Sequence, residues 1–332
     1  MDHRSRLAAA VAGEATDRLP VALWRHFPGT DLTADDLAAA VVAFQRRYDF
    51  DLVKVTPASG RMAEAWGAQL VGADNDEGTR TCLERPVSSP EDWPGLPPLA
   101  VEDGVLGEDL RAIDLIRVAL GPDTPVVQTI FSPLAVARQL AGDAVFQHLR
   151  DHPRALESGL GRIAEAVAAF ALASVDHGAD GVFFAAQLAR RDLLTPEEYA
   201  RFGEHFDRMV LDSVPATAWP TVLHLHGTGS MFDLARSYPC HIVNWHDRET
   251  APSLGEGSRL FRRGAVLGGL ARRMLATATP DEVRAQAEDA VAQTGGRGMI
   301  LGTGCVTLVT TPEANLEAVR QVVEESAARG GR

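Results

Sequence analysis

The chain has only three cysteines in 332 residues, Cys82, Cys240 and Cys305. They are too few and too scattered for a disulfide framework, so a cytoplasmic location is the default expectation. Aromatic residues are sparse as well, with 3 Tyr and 12 Phe. That argues against a base-stacking nucleic-acid platform. Positive charge is in deficit: 32 Lys and Arg against 45 Asp and Glu leave −13. Neither nucleic acid nor an anionic membrane fits as main partner, because both reward a basic surface. Apolar runs such as Ile163–Val175 carry Glu165 and fall short of the roughly 18–20 residues of a membrane span. Met1–Arg6 is polar and Leu7–Gly13 is short, so no signal peptide is expected. No phosphate-cradling glycine motif is visible either. The nearest candidate, Gly227-Thr228-Gly229-Ser230-Met231-Phe232, lacks the third glycine.

Short apolar runs alternate with longer amphipathic ones. Strands are expected at Pro20–Trp24, Asp51–Thr56, Pro125–Phe131, Gly181–Ala185, Thr221–Leu225, His241–Trp245, Ala265–Leu267 and Met299–Leu301. Helices are expected between most of them, including Ala34–Arg47 capped by Asp31 or Thr33, and Pro196–Ser213 opened by Thr195. Eight such units predict an α/β (β/α)8 TIM barrel spanning residues 1–332 as one domain. Ala68–Val87, with the turn-rich segment 74–78 at its centre, reads as a small hairpin insertion after the second strand. Pro90–Pro98 is the best linker candidate.

In such a barrel the chemistry sits where the strands end. The fifth strand ends in His224-Leu225-His226. Residues two apart on a strand share a face about 6.6 Å apart, so both imidazoles can converge on one ion. His246 follows the sixth strand and Cys305 the eighth, where a thiolate could join them. The alternative is that His224 is a core residue bonded to backbone and Cys305 a small buried apolar one. Asp247 beside His246 could orient a histidine or act as a base. Arg25 and His26 end the first strand, and Gln187 lies past the fourth. An arginine there could hold a carboxylate or phosphate. Lys54 lies inside the apolar second strand, where pairing with a nearby acid is expected. A barrel lysine also raises a Schiff-base reading. The pair Arg272-Arg273 falls on the active-site side. Cys82 and Cys240 are expected to be structural.

Several segments in order resemble the uroporphyrinogen decarboxylase superfamily. They are Gly178-Ala179-Asp180-Gly181, Leu194-Thr195-Pro196-Glu197-Glu198-Tyr199 and Gly302-Thr303-Gly304-Cys305, followed by Thr311-Pro312-Glu313-Ala314-Asn315-Leu316. The resemblance implies a barrel with a deep cleft at the strand ends. True decarboxylases of this family carry an R-x-x-G-R loop after strand one and an F-S-D segment after strand two. This chain has Trp24-Arg25-His26-Phe27 and Lys54-Val55-Thr56-Pro57 at those places. It is nearer the branch of zinc-dependent methyltransferases acting between a corrinoid and a thiol. Their His-x-Cys after strand five and Cys after strand eight match His224, His226 (a histidine for the middle cysteine) and Cys305. The resemblance therefore implies Zn2+ at these three residues. It also implies a small-molecule substrate, and a corrinoid or tetrapyrrole as substrate or as the cofactor of a partner protein. A homodimer remains open. The alternatives are a metal-free decarboxylase and a non-catalytic tetrapyrrole- or corrinoid-binding protein.

Overall fold

The computed structural model describes residues 1–72 and 75–330; Ala73 and Asp74, in the expected hairpin turn, lie outside them. Among the described residues ten strands form: β1 (Val21–Ala22), β2 (Val53–Val55), β3 (Gln69–Val71), β4 (Thr81–Glu84), β5 (Val126–Phe131), β6 (Gly181–Ala186), β7 (Val222–Leu225), β8 (Ile242–Trp245), β9 (Ala265–Leu270) and β10 (Met299–Thr303). Eight of them pair in parallel in the order β1-β10-β9-β8-β7-β6-β5-β2. This is the expected (β/α)8 barrel. β3 and β4 pair antiparallel between β2 and β5 in sequence.

The pleat sorts the strand residues into two layers. Ala22, Trp24, Leu52, Val127, Phe183, Val222, Ile242, Leu267 and Ile300 fill the barrel interior. Residues of the opposite parity, such as Val55, Ile130, Val182 and Leu223, pack under the helices. β1 and β2 meet at a thin seam, where the Asp51 N–H donates to the Val21 carbonyl at 2.7 Å. The fully buried Asp51 carboxylate stitches that seam from below. It accepts from Arg6 at 2.7 Å, from Arg18 at 2.7 Å and from the Val21 N–H at 2.9 Å.

Helix Ala34–Tyr48 starts at Thr33, whose side chain accepts from the Asp36 N–H. Four expectations need correction. An N-terminal helix, His3–Val11, was not anticipated; it is capped by Asp2 and sends Leu7 into the barrel floor. Pro90–Gly95 is no linker but a 3-10 turn that drives Trp93 fully into the core. Truncating such a side chain typically costs about 3–5 kcal/mol, so the segment is a fixed part of the core. Gly159 makes the room, because a Cβ there would come within 2.7 Å of the Trp93 ring. The expected helix Pro196–Ser213 is interrupted by a π turn at Ala200–Glu204. Around that turn Tyr199 and Tyr238 both donate to the buried Asp207 carboxylate at 2.7 Å. Finally, helix Pro153–Asp176 is long and apolar enough to cross a membrane by length and composition alone. Its stripe of Leu156, Leu160, Ile163, Val167 and Phe170 is nevertheless buried in the outer core layer.

Candidate functional site: a histidine–cysteine cluster in the barrel mouth

His224, the third residue of β7, and Asn244, the third of β8, share the inward face and sit side by side in register. His226 and His246 follow at the ends of the same two strands. Cys305 arrives from the turn after β10. One ligand atom from each of His224, His226, His246 and Cys305 lies within 4.8 Å of the others. Cys305 Sγ is 3.6 Å from His226 Nδ1, and the rings of His226 and His246 are 4.8 Å apart edge to face.

The hydrogen bonds around the cluster fix its chemistry. The Asn244 amide nitrogen donates to the carbonyls of Leu267 at 2.8 Å and Thr303 at 3.0 Å. Its oxygen is therefore the atom that faces His224 Nδ1 at 2.6 Å. A carbonyl oxygen only accepts, so Nδ1 carries the proton and the Nε2 lone pair is left for the cluster. His246 Nδ1 is 3.2 Å from Glu249, while its buried Nε2 has no hydrogen-bond partner among the described residues. Burial, then mutual repulsion among the imidazoles, pushes His224 well below the usual histidine range and His226 down to about 3. His246 is lowered by burial as well. Burial raises the Cys305 thiol. Neutral imidazoles are the form that binds a metal, and a buried thiol ionises most readily when a cation neutralises it. An orphaned Nε2, an oriented His224 and a mixed N/S donor set fit a zinc-type ion.

The cluster opens into a cavity of about 690 Å³. His26, Lys54 and Gln187 line it. His26 is 8% exposed with its Nδ1 unpartnered. Burial, with Lys54 nearby, pushes it down to about 3. Two expected residues point elsewhere. Arg25 has the opposite parity to Trp24 and His26, and lies between β1 and helix Ala34–Tyr48 with its Nε donating to the His26 carbonyl at 3.3 Å. Asp247 likewise alternates with His246 and turns to β9, where both its oxygens accept from the Gly269 N–H at 3.2 Å. The expected acid partner of Lys54 is also missing. Its ammonium bonds to Thr56 Oγ1 at 3.2 Å, and no described carboxylate pairs with it.

The cavity wall also holds residues that sequence reading missed. Arg61, Arg80 and Arg138 line it, each bridged to an acid: Asp109 at 3.2 Å, Glu64 at 2.7 Å and Asp143 at 2.8 Å respectively. The β3–β4 hairpin roofs the cavity with Leu70, Arg80 and Cys82. Its turn is tied down by Glu77, which pairs with the buried Arg272 at 2.7 Å. The sequence marked Ala68–Val87 as a hairpin by its turn-rich centre, but not what the hairpin covers.

A relative from Methanosarcina acetivorans, methylcobamide:CoM methyltransferase MtbA, is 23% identical over 332 residues, covering 95% of each chain. A uroporphyrinogen decarboxylase from Crocosphaera subtropica is 26% identical over 254 residues, 73% of this chain and 70% of its own. Among solved structures, a methyltransferase from Methanosarcina mazei superimposes with a TM-score of 0.85 at 22% identity, covering 98% of this chain and 99% of that one. The uroporphyrinogen decarboxylase (URO-D) family matches residues 2–326, and with the same barrel and nearly full-length relatives the chain belongs to that family.

Proposed function

We propose that the chain is a metal-dependent methyl- or alkyltransferase whose Zn2+ is held by His224, His226 and Cys305. His246 is a fourth ligand or the acid–base group beside them. The observation that carries this reading is the convergence of four donors within 4.8 Å at the barrel mouth. The full-length likeness to a methylcobamide:CoM methyltransferase supports methyl transfer as the reaction and a methylated corrinoid, carried by a partner protein, as its donor.

Bound there, the metal supplies Lewis acidity toward the acceptor. The chain's own residues set how strong that is. One thiolate among neutral imidazoles leaves a net charge of +1 on a zinc site, whereas the His-Cys₂ set of related methyltransferases would leave zero. The more positive site polarises an acceptor more strongly but makes a bound thiolate less nucleophilic. Asn244 and Glu249 orient two of the imidazoles, and His26, Gln187 and Lys54 line the pocket that receives the substrate. The same reading treats residues 1–332 as one cytoplasmic domain, in keeping with three free cysteines.

The test is elemental analysis of the purified protein beside an assay of methyl transfer from methylcobalamin to a small thiol. About one zinc per chain and turnover lost on chelation are expected. Decarboxylation of uroporphyrinogen by metal-free protein would overturn the reading in favour of a decarboxylase. Tight corrinoid binding that survives alanine at His224 and Cys305, with no turnover, would make it a carrier instead.

A further inference from the structure

Lys54 is the only lysine in the chain; the other 31 of its 32 Lys and Arg residues are arginine. Surface charge, ion pairs and the cavity wall are all served by guanidinium groups. Arginine cannot give up its proton in a protein, whereas lysine becomes a nucleophile when it does. The single ammonium therefore stands where a guanidinium would not do the same work, and that place is the wall of the cavity.

Its surroundings are those of a reactive amine. Lys54 is 7% exposed. Its Nζ lies 4.8 Å from the centre of the Phe183 ring and 5.8 Å from that of Trp24. Both rings belong to the apolar cluster that fills the barrel interior. Arg61, Arg80 and Arg138 on the same cavity all have acid partners, but no described carboxylate pairs with Lys54. The titratable groups that couple to it are His26 and His224, both held neutral by burial, and Cys305, whose thiolate would favour the ammonium, a pull that the zinc proposed there offsets. Thr56 Oγ1 is 3.2 Å from Nζ, and His26 lines the same cavity.

We infer that Lys54 is a nucleophilic amine that condenses with aldehyde or ketone compounds entering the cleft. The Nζ lone pair forms a bond to the carbonyl carbon, and the carbonyl oxygen takes up a proton. The resulting carbinolamine loses that oxygen as water, leaving a C=N bond. One amine and one carbonyl are consumed, one water is released, and no oxidant or metal takes part. Thr56 Oγ1, hydrogen-bonded to Nζ, is placed to pass a proton. Burial, which pushes Lys54 down to about 7, supplies the neutral amine at physiological pH.

The chain's composition makes the test clean, because Lys54 and the α-amino group of Met1 are its only primary amines. Native protein as purified is treated with propionaldehyde and sodium cyanoborohydride, and the adducts are located by peptide mass spectrometry. At pH 7 the Lys54 adduct should form at least about 10-fold faster in the native protein than in guanidinium-unfolded chain, where a lysine is ordinarily almost fully protonated. Its rate should rise as pH passes through about 7, following the neutral amine. Lys54→Arg and Lys54→Met should be labelled at Met1 alone, with metal content unchanged. Native wild type labelled only at Met1, or at Lys54 no faster than the unfolded chain, overturns the inference. Neither result bears on whether the cluster binds zinc, which elemental analysis of the same samples reads separately.

Discussion

His224 Nδ1 and Asn244 Oδ1 stand 2.6 Å apart, and this contact selects the nitrogen that His224 turns to the cluster. Partners of this kind commonly tune metal affinity by about 10–100-fold. Asn244→Leu should therefore weaken zinc binding by about that factor in a competition titration with a chromophoric chelator. It also strips two bonds from the Leu267 and Thr303 carbonyls, so stability should fall too. Unchanged affinity in a folded variant would remove Asn244 from the account.

Cys305→Ser and His226→Cys should behave oppositely. The first removes the one thiolate and should lower zinc affinity by well over 10-fold. The second supplies the His-Cys₂ set of related methyltransferases and should keep a full equivalent. Calorimetric titration with zinc at three pH values checks both. Affinity of the wild type should fall from about pH 7 to 5 as protons compete for the ligands. A flat pH profile would count against these ligands.

His26 gives a stability prediction with a definite sign. Its folded value is held near 3, below the ordinary value of about 6.5. Its contribution is thus intact above about pH 6.5 and is lost as pH falls toward 3. The slope approaches about 1.4 kcal/mol per pH unit when only the unfolded chain is protonated. Urea denaturation of wild type and His26→Gln at pH 7, 5.5 and 4 should show the gap narrowing, or reversing in favour of the variant, as pH drops.

The Glu77–Arg272 pair anchors the hairpin roof with Arg272 buried and Glu77 about one-third exposed. Glu77→Gln should loosen the roof more than it destabilises the fold. Amide exchange of Thr81–Glu84 should quicken about 10-fold or more. The melting temperature should move by a few degrees at most, because the neutral amide can still accept from the Arg272 guanidinium. A quickened barrel core instead would mean that the pair supports the whole fold.

Cys240 accounts for none of the cluster. It is buried, its thiol is pushed up to about 11 by desolvation, and its sulfur lies 3.8 Å from the Ala235 carbonyl. Cys240→Ala should leave metal content untouched. Loss of an equivalent would show that the cluster is misassigned.

The strand order and the pair His224/His226 were legible because a barrel needs only eight apolar runs and a period of two. That same period explains what was misplaced. Arg25 cannot share a face with His26, nor Asp247 with His246, since neighbours on an extended chain point to opposite sides. Asn244 was readable by this rule, two residues before His246, yet an asparagine carries no metal signal until His224 is seen against it. Lys54 was expected to find an acid; what the sequence offered instead, unnoticed, was that no second lysine exists. The hairpin roof and the Glu77–Arg272 tie depend on a contact between residues almost 200 positions apart, which no local pattern encodes.

The thin β1–β2 seam divides the site into a half carried on strand ladders and a half beside the seam. His224, His226, His246 and Cys305 ride on or just beyond β7, β8 and β10, which are locked into continuous ladders. Lys54 rides on β2 and His26 lies just beyond β1, the two strands that flank the seam. A ligand that presses on this half meets a ring held by Asp51 and its arginines rather than by a strand ladder.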